Sequence, residues 1–140
     1  MPEFAGTESL YLRYSSQYFL QGQLTPDAIR SQMKQSVNRG NFSEPEDVLF
    51  SESGEYDALG VIEFKVSDIP PRVDQPDGPA YVFFMTHQPQ DTNYSHSEIW
   101  SDHEHRTGGF RRPSRTVSLE FRTLLCRSLT AERIRIEAHR

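Results

Sequence analysis

Cysteine, lysine and tryptophan are scarce in this chain, and the scarcities narrow what it can be. A lone cysteine, Cys126, forbids an internal disulfide and any zinc cage built from thiolates. No apolar run is long enough to cross a bilayer, so no membrane span is expected. The first ten residues carry Glu3 and Glu8, no basic residue and no apolar block. That pattern is unlike a secretory signal, and the expected location is cytoplasmic. GxSxG, P-loop and GxGxxG motifs are all missing, as are internal repeats and low-complexity tracts.

What remains suits a single domain over residues 1–140. Hydrophobic residues make up only 35% of the chain, but an 11% aromatic share supplies large side chains for a core. The net charge of −5 hides an asymmetry. Residues 1–100 hold 15 acidic and 6 basic side chains, whereas residues 101–140 hold 5 acidic side chains and 9 arginines. Arginine outnumbers lysine 13 to 2, and its clustering makes the end of the chain arginine-rich against an acidic body.

Residues 9–20 alternate at Leu10, Leu12 and Tyr14 and read as a strand, closed by a turn at Gln21-Gly22-Gln23. Thr25, Pro26 and Asp27 form a helix-start signal, and Ile29, Met33 and Val37 then share one helical face. These residues predict a helix over 26–39. Val48 to Phe50 reads as a short strand, and 58–66 as a longer one with Ile62, Phe64 and Val66 inward and Val61, Glu63 and Lys65 outward. Four prolines make 67–79 an irregular connection. Tyr81–His87 and His96–Ser101 flank a polar loop and predict a hairpin. Ser114 caps a second helix over 114–128, with Val117, Phe121, Leu124 and Leu125 as its stripe, and 133–137 alternates as a final strand. The expectation is an α+β fold: a mostly antiparallel sheet of about five or six strands packed against two helices.

Residues 80–115 hold the candidate chemistry. Four of the five histidines lie between 87 and 105. With the hairpin in register, His87 and His96 sit opposite one another, with Glu98 and Trp100 beside them; a one-residue slip would reverse every side chain. Two imidazoles, a carboxylate and an arginine (Arg106, Arg111 or Arg112) would serve general acid–base cleavage of a phosphodiester. Asp102, His103, Glu104 and His105 lack a recognised metal-ligand spacing, so no metal and no cofactor are expected. Cys126, beside Leu125 on the last helix, reads as a small apolar side chain.

Two function classes follow. The first is a non-catalytic interaction module (an adaptor, inhibitor, immunity or accessory protein) that binds a macromolecular partner through residues 96–115. Its contacts would be Trp100, Arg106, Phe110, Arg111 and Arg112, because aromatic and arginine side chains carry most interface energy. A protein partner is expected; nucleic acid is a second class that only the arginine-rich C-terminal third would serve. The alternative is a ribonuclease-like or metal-assisted phosphodiester hydrolase using His87, His96 and Glu98.

Overall fold

The computed structural model describes residues 4–106 and 109–139. Nine strands are formed among them: β1 (Ser9–Tyr14), β2 (Phe19–Leu20), β3 (Gln23–Leu24), β4 (Gln35–Arg39), β5 (Gly60–Lys65), β6 (Arg72–Val73), β7 (Tyr81–His87), β8 (His96–His103) and β9 (Ile134–Ile136). Two α-helices accompany them, the single-turn α1 (Pro45–Val48) and the longer α2 (Arg115–Cys126). Seven strands form one antiparallel sheet in the order β6-β7-β8-β4-β1-β5-β9, and β2 and β3 make a separate hairpin. The fold is α+β, and its main sheet has seven strands where the sequence predicts about five or six. No helix among the described residues is long and apolar enough to cross a membrane.

Alternation places Leu10, Leu12 and Tyr14 of β1 on one side of the sheet, and Arg39↔Leu10↔Phe64 pairing aligns β4 and β5 with them. On that side α2 presents Val117, Phe121 and Leu125, with Phe121 stacked on Phe83 of β7 at 4.0 Å between ring centroids. Ser114 caps α2 as expected, its hydroxyl accepting from the Val117 backbone N–H. The β2–β3 turn uses Gln21 and Gly22, both at positive φ, the mirror-image turn that matches strand twist in two-residue hairpins. Gly60 is required by close approach: a Cβ there would lie 2.5 Å from the Tyr14 ring and 2.6 Å from the Ile136 carbonyl oxygen.

The helix predicted over 26–39 is not formed. Only Pro26–Ala28 make one 3-10 turn, Met33 and Lys34 take positive φ, and Gln35–Arg39 become β4, between β8 and β1. Ile29, Met33 and Val37 are all buried, so their apolar spacing was read correctly and its period was not. Pairing on both sides satisfies the β4 backbone more fully than an isolated amphipathic turn would, and tertiary context overrides local preference. Val48 closes α1 instead of opening a strand, because Pro45 fits the first helical position and the Asp47 carboxylate accepts from the Glu44 N–H. In β5, Val61 and Glu63 are buried along with Ile62 and Phe64; α1 packs on neighbouring β1 and reaches β9. The proline-rich connection gains a short edge strand, β6, but is otherwise irregular.

Candidate binding surface

The β7–β8 register decides where the predicted site residues go. His87 pairs with Ser97, one step from the expected partner, while His96 pairs with Asn38 of β4. His87 therefore shares the helix-side face with Phe83, Met85 and Ile99, whereas His96, Glu98, Trp100 and Asp102 leave from the opposite face. The two imidazoles and Glu98 do not converge. This corrects the expected juxtaposition: the strand register differs by one residue, and Gln88 and not His87 lies across from His96. The His96 ring is held at both nitrogens, Nδ1–H donating to the Gln88 carbonyl at 2.8 Å and Nε2 accepting from Ser36 Oγ at 3.0 Å. Glu98 accepts from the Trp100 indole N–H at 2.9 Å.

His87 lies at the end of the sheet among aromatic rings, 5.0 Å from Tyr94 and 5.9 Å from Phe42 between centroids. Burial, reinforced by the nearby Arg39 guanidinium, pushes its pKa below the usual imidazole value, and its Nε2 is buried without a hydrogen bond. Arg39 itself is fully buried and holds Glu8 in a two-point pair, Nε to Oε2 at 2.8 Å and Nη2 to Oε1 at 2.7 Å. The guanidinium also lies against the Phe4 ring at 3.8 Å and the Phe42 ring at 4.9 Å. This cluster fastens the first described residues and the segment after β4 to the sheet. Nothing in the sequence spacing of Glu8, Arg39 and His87 announces it.

The predicted contact residues gather on the other face. Trp100 and Phe110 meet edge to face at 5.7 Å, and Lys34 Nζ sits 5.2 Å from the indole and 4.8 Å from the phenyl centroid. Beside them Asp102 is buried, with Arg106 at 3.4 Å and Arg111 at 4.0 Å from Oδ1. The backbone N–H of Arg111 bonds to the Ser101 carbonyl and the Ser101 hydroxyl to the Arg111 carbonyl, pinning this loop along β8. Arg111 and Arg112 are exposed, and Arg112 makes no ion pair among the described residues. The tip residues 107 and 108 of the expected glycine-containing loop lie outside the described residues. Cys126 is enclosed in the core, where burial pushes its thiol up to about 11.

A second feature escaped the sequence reading. Between residues 42–56 and the 88–96 loop, over Arg13, Ser36 and His96, runs a cleft of about 740 Å³. Phe42, Phe50 and Tyr94 stand at its edges, and Arg13 is clamped inside it by the Tyr56 ring at 4.0 Å and the Val48 carbonyl at 3.0 Å. The readable signal was the composition of 41–57: six acidic residues, no basic ones, and three aromatics amid polar neighbours. Compared with protein-family models, curated proteins and solved structures, the chain matches none.

Proposed function

We propose that this protein is a binding module whose macromolecular partner docks on the sheet face opposite α2, centred on Trp100 and Phe110. The observation that carries this reading is the Trp100–Phe110 edge-to-face pair, half-buried on that face, with Lys34 over both rings and Arg106 and Arg111 on the neighbouring Asp102. An indole and a phenyl backed by a strand supply preorganised apolar area, and arginines around them supply directional donors. Arg106 and Arg111 share the buried Asp102 carboxylate, which holds them over the strand while their exposed edges stay free to bond outward. A protein partner suits this mixture better than nucleic acid, since the chain as a whole is acidic. The catalytic alternative loses its support, because His87 and His96 leave opposite faces of the sheet.

The test is affinity capture with the full chain, comparing wild type, Trp100→Ala with Phe110→Ala, Arg111→Ala with Arg112→Ala, and Leu119→Ala on the exposed side of α2. A partner retained by wild type and Leu119→Ala and lost from both other variants supports the reading. Retention by all four refutes it. A partner released by moderate salt and identified as RNA or DNA replaces the protein reading with a nucleic-acid one.

A further inference from the structure

We infer that the cleft between residues 42–56 and the 88–96 loop is a second binding site, and that its occupant is an extended basic segment carrying arginine. It opens on the same sheet face as Trp100 but is lined by other residues, and it does not depend on the Trp100 surface being used. Its size falls within the range of formed ligand sites, at about 740 Å³. Its rim is unusual for this molecule. Among the described residues five large hydrophobic side chains are strongly exposed, and three of them, Phe42 at 44%, Phe50 at 72% and Tyr94 at 55%, stand around this one cleft. Scattered exposed hydrophobics are ordinary; three converging on one concave surface mark a contact site.

Charge chooses the occupant. The wall formed by residues 41–57 contains six acidic residues and no lysine or arginine. Asp47, Glu52 and Glu55 of that wall line the cleft and are exposed. Against these three carboxylates stands one guanidinium, Arg13, already stacked on Tyr56 and bonded to the Val48 carbonyl. An acidic or phosphate-bearing ligand would meet net repulsion, and a purely apolar one would strand the carboxylates. A guanidinium satisfies both features, since its plane stacks on an aromatic face while its edge bonds a carboxylate. The cleft already holds one such stack in Arg13 on Tyr56, and exposed Phe50 and Tyr94 offer the same surface to an incoming side chain.

The test is fluorescence anisotropy with the full chain and fluorescein-labelled octa-arginine, octa-lysine and octa-glutamate. Octa-arginine should bind, octa-lysine more weakly and octa-glutamate not at all. Phe50→Ala with Tyr94→Ala should weaken octa-arginine by about tenfold, the loss of one or two stacking contacts. Glu52→Gln with Glu55→Gln should weaken it several-fold more than Asp77→Asn with Glu120→Gln, which removes the same charge far from the cleft. Equal losses in the two charge-matched variants would reduce the effect to general attraction and overturn the inference. So would indifference to Phe50 and Tyr94. Sedimentation that shows a dimer dissolved by Phe50→Ala with Tyr94→Ala would overturn it in favour of a second copy as the occupant.

Discussion

Replacing Glu8 by Gln should be among the most damaging single changes in this chain, although it alters one charge and almost no volume. Glu8 and Arg39 are both buried and meet at two points, 2.7 and 2.8 Å. An amide in place of the carboxylate takes from the enclosed guanidinium a countercharge that meets it at two points. Losing one partner of such a pair costs about 3–5 kcal/mol, because the remaining ion keeps its desolvation penalty and loses its attraction. A chain of this length has a total stability of roughly 7–20 kcal/mol, so the loss is a large share of it. Glu8→Leu combined with Arg39→Met should recover most of the loss: the charges go together, and methionine keeps contact with the Phe4 and Phe42 rings that flank the guanidinium. Urea unfolding of wild type, each single variant and the double variant completes the cycle. A cost below about 1 kcal/mol for Glu8→Gln, or a double variant as unstable as the sum of its singles, would refute the reasoning.

Three further outcomes are expected. Glu63 is partly desolvated, which opposes ionisation, but hydrogen bonds from Ser9, Arg135 and Lys65 win and hold its carboxyl at about 2, against an ordinary 4.5. Its stabilising contribution, about 3 kcal/mol at most, is present above pH 4.5 and drains away as the pH falls toward 2; urea midpoints at pH 7 and 2.5 should therefore shift less in Glu63→Gln than in wild type. His87 has a lowered pKa, so below about pH 6.5 the unfolded chain takes up the proton first and stability declines, and a thermal melt of His87→Phe should lack that part of the decline. Gly60→Ala should cost about 1–3 kcal/mol by forcing both the Tyr14 ring and the β9 backbone at Ile136 to shift, visible as a lowered melting temperature; an unchanged melt would mean that ring and backbone both move without cost.

The parts of the fold legible in the sequence were those where local chemistry and tertiary demand coincide. Ser114 capping α2, the alternation of β1, and the strands on either side of the 88–95 loop were all readable because one pattern had one use. Residues 26–39 failed for the opposite reason. Thr25-Pro26-Asp27 did start a helical turn, and Ile29, Met33 and Val37 did go inside, but a four-residue repeat of buried side chains is also produced by a chain that dips into the core three times before joining a sheet. The β7–β8 register was lost by one residue, because Gln88 and not His87 lies opposite His96; that single step separated the histidines onto opposite faces and left Trp100 outward with Phe110. The cleft was unreadable as a shape, since it joins a segment near residue 50 to a loop near residue 90 through a crossover in strand order.

That strand order governs how the molecule comes together. The strand made first, β1, ends between β4 and β5 near the middle of the sheet, and β4 gains its other neighbour only when β8 arrives. The helix that shields Leu12, Phe64 and Phe83 is made later still. A ribosome delivering the chain therefore releases apolar strand surface well before α2 is made to cover it. Folding should be slow for the size, governed by distant partners finding each other, and growth at low temperature or with chaperones present should raise the soluble yield.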